Sequence, residues 1–124
     1  MEKDPKWDPD IQERTFEFAK RIVRLHQYLT QQKGSARELA RQVLRSGTSI
    51  GANMAEANAG QSKADFISKC HIALKEARET QYWLRLLIAC ELVPPEKLTP
   101  LFSEVSEIVA ILTTIIKNAR KSLK

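Results

Sequence analysis

The sequence has few of the residues that break or bend a chain. Its 124 residues include four glycines and five prolines, which lie at segment ends or in one stretch around Gly47 and Gly51. Valine and aromatic residues are too sparse, and wrongly spaced, for a β-sandwich. This distribution excludes a turn-rich all-β fold and favours long helices. The length predicts a single domain, residues 1–124, with residues 1–8 as a polar N-terminal arm.

Cysteine is also scarce, and the two cysteines are not placed for a disulfide. Cys70 and Cys90 fall on one predicted helix, so about 30 Å of helical rise separates them. Both are expected to be small buried apolar residues in a reducing compartment. The N-terminus does not read as a secretory signal, and no stretch reads as a membrane span. The chain is therefore expected to be cytoplasmic, without a membrane partner.

Residue patterns that support catalysis or metal binding are missing. The two histidines, His26 and His71, lie on different predicted helices, and the neighbours Cys70 and His71 point about 100° apart on a helix. No spacing typical of a metal site or a phosphate-binding loop occurs. Glu76 and Glu79 stand one turn apart as an acid–base pair or, as we favour, as ion-pair partners. We expect no enzymatic activity, no cofactor and no metal.

Apolar residues recur every three to four positions in four segments, which predicts four helices. Short links between the segments predict antiparallel neighbours. The fold class is therefore all-α, an up-down-up-down antiparallel four-helix bundle. The predicted segments run from Asp8-Pro9 to about Gln32, from the capping-box pattern at Ser35 to about Asn58, from the similar pattern at Ser62 to about Glu91, and from Pro95 or Thr99-Pro100 to the end.

Positive charge is concentrated in the first half of the chain. The net charge is +5, yet residues 1–17 contain six acidic and three basic residues, whereas residues 18–45 contain seven basic residues and one acidic residue. This asymmetry indicates a polyanionic partner, RNA or DNA. We predict one basic face shared by the first two helices. Its nucleic-acid-binding candidates are Lys20, Arg21, Arg24, Arg37, Arg41 and Arg45, with Lys117, Arg120 and Lys121 as weaker candidates.

Two further features predict close packing or self-association. The small residues around Gly47 and Gly51 form a smooth strip that packs on a neighbour, either in the same chain or in another. A second apolar line on the third helix needs cover that a four-helix monomer gives only in part. The alternative is that its tryptophan only caps the end of the bundle. The interface candidates from these patterns are Gly47, Gly51, Ile72, Glu76, Glu79, Trp83 and Leu86.

The run from Arg45 to Leu87, RSGTSIGANMAEANAGQSKADFISKCHIALKEARETQYWLRLL, resembles the small proteins encoded within intervening sequences of bacterial 23S ribosomal RNA genes. It is more distantly similar to the accessory protein of diversity-generating retroelements, which works beside a reverse transcriptase. The resemblance implies a four-helix bundle that assembles as a homopentamer with a basic surface. It also implies structural or assembly roles for the matching residues Gly51, Asn53, Glu56 and Glu79. Ala73-Leu74 departs from the Gly-Ser of many members.

Two functions from different classes follow from these observations. The first is a non-enzymatic, oligomeric accessory protein that binds RNA or DNA, with RNA favoured, through a basic helical face. The second is a protein–protein scaffold, such as a reverse-transcriptase accessory subunit, whose basic face docks an acidic partner. A structural passenger with no strong ligand is the third and weakest reading.

Overall fold

The computed structural model describes residues 9–59 and 62–122, and these form four long helices. The helices are α1 (Pro9–Leu29), α2 (Ser35–Ala59), α3 (Lys63–Ala89) and α4 (Thr99–Lys121), with a single 3-10 turn (Pro95–Lys97) before α4. Each helix packs on its neighbour in sequence, and α1 also packs on α4. The result is the predicted all-α four-helix bundle. The predicted arm, residues 1–8, lies outside the described residues.

The helix ends follow from local chemistry. Ser62 caps α3, because its hydroxyl accepts a hydrogen bond of 3.1 Å from the amide of Asp65. The predicted cap at Asp8 lies outside the described residues. Ser35 was expected to open a capping box, but it already lies within α2, whose first backbone bond joins the Glu38 amide to the Gly34 carbonyl.

The end of α3 is a Schellman-type turn. The amide of Glu91 donates to the carbonyl of Ile88, and the amide of Leu92 donates to the carbonyl of Leu87. Glu91 takes a left-handed φ of 54°, a conformation that glycine usually supplies. Helix α3 therefore ends at Ala89, two residues before the predicted end, and the two prolines that follow keep the chain from continuing as a helix.

The core runs the length of the bundle. Each helix contributes one continuous buried stripe, as the apolar spacing predicts, and the interior holds large side chains with no exposed surface. The largest fully buried side chains include Phe18, Ile22, Leu29, Ile50, Met54, Leu84, Leu87, Ile108 and Leu112.

Helix α4 corrects one sequence-based expectation. The segment Pro95–Lys121 is long and apolar enough to cross a membrane by length and composition, since it contains an 18-residue window with a mean hydropathy of 1.5. We had expected no such stretch. In the bundle, the inner stripe of α4 from Leu101 to Ala119 is buried against the other helices. The core helix of a bundle passes the same test of length and composition, since its apolar face is wide.

Two contacts between α1 and its neighbours hold the bundle in register. The guanidinium of Arg14 grips Glu104 on α4 with two hydrogen bonds, of 2.7 and 3.0 Å. On the other side, the amide nitrogen of Gln12 donates to the carbonyl of Met54 on α2 at 2.9 Å. These contacts fix which side of α1 faces α4 and which faces α2, and this decides where its cations point.

Candidate nucleic-acid-binding surface

The six predicted nucleic-acid-binding residues do not form one shared face of α1 and α2. Arg21 and Arg24 lie toward α4, where they line a cleft with Lys97 and Pro100. Arg45 lies toward α3 instead, in contact with carboxylates of that helix. The prediction of a single ladder was wrong, because matching positions along two helices does not make their side chains point the same way.

Two of the six cations already have carboxylate partners. The ammonium of Lys20 lies 3.1 Å from Glu17 one turn away and 5.9 Å from the centre of the Phe16 ring. The guanidinium of Arg45 lies 3.3 Å from Glu76 and also contacts Glu79. A cation that is already paired with a carboxylate loses that contact when it binds a phosphate, so it contributes less to affinity.

The other four cations are Arg21, Arg24, Arg37 and Arg41. None makes an ion pair or side-chain hydrogen bond with any residue in 9–59 or 62–122. Arg24, Arg37 and Arg41 are exposed, and Arg21 is half-buried. Arg37 and Arg41 stand four residues apart on the outer side of α2, so their side chains are neighbours on that surface. These four guanidinium groups remain free to bind an anion.

Arg45 belongs to a polar network that joins α2 to α3. Oε2 of Glu79 accepts hydrogen bonds from Arg45 and, at 2.9 Å, from the indole nitrogen of Trp83. The carboxylates are largely shielded, with Glu76 17% and Glu79 30% exposed. The interpretation of Glu76 and Glu79 as ion-pair partners of an arginine is confirmed. The structural role of Arg45 thus competes with its predicted role in nucleic-acid binding.

The smooth strip of α2 packs inside the chain. A Cβ atom on Gly47 would lie 2.8 Å from side-chain carbons of Ile22, and one on Gly51 would lie 3.1 Å from the carbonyl oxygen of Thr15. Both neighbours belong to α1. The assignment of Gly47 and Gly51 to an oligomer interface is therefore corrected: the glycines allow close approach of α1 and α2 within one bundle.

Glu76 and Glu79, also predicted at the interface, pair with Arg45 within the chain. The other predicted interface residues divide into two groups. Asn53 donates to the Ser49 carbonyl of its own helix at 2.8 Å, and Glu56 pairs with Lys69 of α3 at 2.8 Å. Both contacts are within the chain. The second group keeps accessible apolar surface: Ile72 is 39% exposed, and Trp83 and Leu86 are half-buried. Exposed Tyr82 packs edge-on against Trp83, with ring centres 5.1 Å apart.

The weaker basic candidates lie at the end of α4. Lys117, Arg120 and Lys121 are exposed. The guanidinium of Arg120 donates to Nε2 of His71 on α3 at 2.7 Å, so the imidazole accepts through that nitrogen. Arg120 therefore holds α4 to α3, whereas Lys117 and Lys121 have no ion-pair partner among the residues that the structure describes.

The two cysteines have different surroundings. Cys70 is fully buried, as expected, and burial raises the pKa of its thiol to about 12. Cys90 is exposed, which corrects the expectation that it is buried. It follows the last residue of α3, beyond the reach of the core. Within the described residues, no cluster of histidine, cysteine or acidic side chains is placed to hold a metal ion.

One element of this surface was missed at the sequence level. Lys97, in the turn before α4, places its ammonium 4.3 Å from the centre of the Tyr28 ring on α1. Lys97 is far from Arg21 and Arg24 in the chain, and only the packing of α4 on α1 brings them together. The pair Pro94-Pro95 indicated a bend in the chain, but it did not indicate that this turn would pack against α1.

Comparisons with known proteins agree with the fold. The sequence model of a family described as 23S rRNA-intervening sequence protein matches residues 8–114. A crystal structure of a protein with unknown function, from the S23 ribosomal protein family of Bacteroides thetaiotaomicron, is 46% identical and superposes with a TM-score of 0.81. That alignment covers 89% of this chain and 97% of the other. No curated protein matches the chain.

The family match spans most of the chain, including all of α1, α2 and α3, and the structural match includes almost the whole of the Bacteroides protein. The resemblance to the proteins encoded in 23S rRNA intervening sequences is thereby confirmed. The chain belongs to the family of 23S rRNA-intervening sequence proteins.

Proposed function

We propose that this protein is a non-enzymatic RNA-binding accessory protein that uses unpaired arginines on the outside of the bundle. The observation that carries the proposal is that Arg21, Arg24, Arg37 and Arg41 have no carboxylate partner among the described residues. Membership of a family described as 23S rRNA-intervening sequence proteins supports RNA over DNA as the ligand.

The chemistry of these arginines suits a phosphate backbone. Each guanidinium offers several donors in a planar fork that fits two phosphate oxygens. Among residues 9–59 and 62–122, no exposed aromatic row accompanies Arg37 and Arg41, so binding follows the shape and charge of the RNA rather than its bases. The proposal includes self-association, with the homopentamer of the family resemblance as the expected form, because several copies would multiply weak contacts along one RNA.

The test replaces two of the free arginines with alanine. It compares the resulting loss of RNA affinity with the loss caused by replacing two other arginines. Arg37→Ala with Arg41→Ala should weaken binding to a structured RNA by about 10-fold or more, since each lost charge-assisted contact counts. The matched control is Arg78→Ala with Arg85→Ala, two exposed arginines of α3. Fluorescence anisotropy gives both affinities. Equal weakening by the two double variants would show that only net charge matters and would contradict the proposed surface.

A second function remains a candidate, namely a scaffold that docks an acidic protein such as a reverse transcriptase. The observation in its favour is the accessible apolar surface of Ile72 and Tyr82 on α3, at 39% and 55% exposure. Protein interfaces combine such apolar anchors with a charged rim. If Trp83→Ala abolishes partner binding while the arginine variants leave it intact, the scaffold is favoured over RNA binding.

A further inference from the structure

A cleft of ≈ 270 Å³ between α1 and the start of α4 gathers cations from two separate parts of the chain. Arg21 and Arg24 line it from α1, and Lys97 lines it from the 3-10 turn. Its floor is apolar, formed by Leu25 and Leu101. The cleft is slightly smaller than a pocket for a drug-sized ligand, so it suits one compact charged group with part of its neighbour.

The charges around this cleft are not balanced by the protein. Among the described residues, Glu96 is the one carboxylate that lines it, against three cations. Among the described residues, neither arginine has an ion-pair partner, and the ammonium of Lys97 contacts the Tyr28 ring rather than a carboxylate. Elsewhere in the described chain, two arginines that lie between helices do have carboxylate partners: Arg14 has Glu104, and Arg45 has Glu76.

The start of α4 adds to the positive potential. Pro100 and Leu101, in the first turn of α4, both line the cleft. No side chain in the described part of the chain caps this helix with a hydrogen bond, and its first turn contains no acidic residue. The positive end of the helix dipole therefore acts in the same direction as the three cations.

We propose that this cleft binds a phosphate monoester attached to a nucleoside, either at an RNA end or in a free nucleotide. Three cations and one carboxylate leave a formal charge of +2, which matches a monoester of nearly two negative charges better than a backbone diester of one. The apolar floor and the Tyr28 ring accommodate the less polar part of the nucleoside. The RNA-end form of this inference rests on the proposed function.

The test compares two RNAs of one sequence that differ only in a 5′-phosphate or a 5′-hydroxyl. In the wild-type protein the phosphorylated RNA should bind about 10-fold more tightly, as one additional charge-assisted contact predicts. Arg24→Ala and Lys97→Ala, both changes of exposed side chains, should each remove most of that preference. Arg78→Ala on α3 loses the same charge away from the cleft and should preserve it.

A parallel titration with adenosine monophosphate and adenosine separates the two sources of the monoester. Binding of the monophosphate but not of adenosine, seen as NMR chemical-shift changes of the amides of Arg24, Lys97 and Leu101, would support a free-nucleotide site. It would do so even if the protein showed no preference for phosphorylated RNA ends. Equal affinity for both RNAs, with no response to the monophosphate, would overturn the proposal that the cleft binds a phosphate monoester. The proposed RNA-binding function would still stand. If the protein bound neither RNA nor the monophosphate, both proposals would fail.

Discussion

Gly51 of α2 lies so close to Thr15 of α1 that a Cβ atom at this position would stand 3.1 Å from the Thr15 carbonyl oxygen. A backbone carbonyl cannot rotate away as a side chain can. The cost of a glycine in the middle of α2, about 1 kcal/mol relative to alanine, is thus offset by close packing of two helices.

Gly51→Leu should therefore destabilise the protein by about 1 to 3 kcal/mol, because the added bulk forces α1 and α2 apart. Urea denaturation followed by circular dichroism measures the loss. Ala55→Leu, at an exposed position of the same helix, is the matched control and should change stability by less than about 0.5 kcal/mol. A Gly51→Leu protein as stable as the control would show that the contact is not tight.

Two arginines of α2, Arg41 and Arg45, were predicted to have the same role, but in the structure only Arg45 of the two pairs with carboxylates among the described residues. Arg45→Ala leaves Glu76 and Glu79 close together without their cation, and it should lower stability by up to about 1 kcal/mol, with a smaller loss at high salt. It should change RNA affinity less than twofold. Arg41→Ala should weaken RNA binding and leave stability almost unchanged, since Arg41 has no carboxylate partner in the described part of the chain.

Thermal melts in low and high salt, paired with RNA anisotropy, measure both effects. The two variants carry the same charge change on the same helix, so each serves as the control for the other. If Arg45→Ala weakened RNA binding as much as Arg41→Ala does, the distinction between paired and free arginines would be wrong.

The cysteines predict a simple labelling result. Burial raises the pKa of the Cys70 thiol to about 12, so almost no thiolate forms on it near pH 8. Cys90 is exposed. A thiol reagent at pH 8 should therefore modify one cysteine in the native protein and two in denaturant. Cys90→Ser should abolish the rapid native reaction, and rapid labelling of that variant would show that Cys70 is accessible.

The same pKa shift predicts a dependence of stability on pH. Below about pH 9 the Cys70 thiol is protonated in both the folded and the unfolded chain. As pH rises from about 9 toward 12, the unfolded chain loses this proton first, so stability decreases. The stability of the Cys70→Ala protein should decrease less steeply over this interval. Equal slopes of stability against pH for the two proteins would contradict the raised pKa of Cys70.

The apolar surface of α3 predicts self-association. Ile72 and Trp83 lie 11 residues apart, so they share a face of α3, and both keep accessible surface. Ile72→Glu should shift the assembly toward smaller species by light scattering, because a carboxylate is costly in an apolar interface. Trp83→Ala should shift it in the same direction.

Phe16→Glu is the matched control for Ile72→Glu. Phe16 is an exposed apolar residue of α1, 60% accessible, and its change should leave the mass unaltered. An unchanged mass for both α3 variants would exclude this face as the interface.

The sequence predicted the helices and the core well, because these depend on local spacing. In α1, apolar residues at three- and four-residue intervals place Phe18, Ile22 and Leu29 on one side, and all are fully buried. The surface was predicted less well. Which residue a cation contacts depends on how each helix is rotated about its own axis in the bundle, and on elements that are distant in sequence. Arg45 meets Glu76 and Glu79 across a helix pair, and Lys97 reaches Tyr28 only after the chain has turned into α4.

The central claim is that the free arginines bind an RNA backbone. The most direct measurement is the affinity for a structured RNA, beside a DNA duplex of matched length, across a salt series from 50 to 200 mM. If Arg37 and Arg41 each neutralise one phosphate, RNA affinity should fall by about 10-fold over this range. No binding of RNA at the lowest salt, or an affinity that does not respond to salt, would contradict the claim.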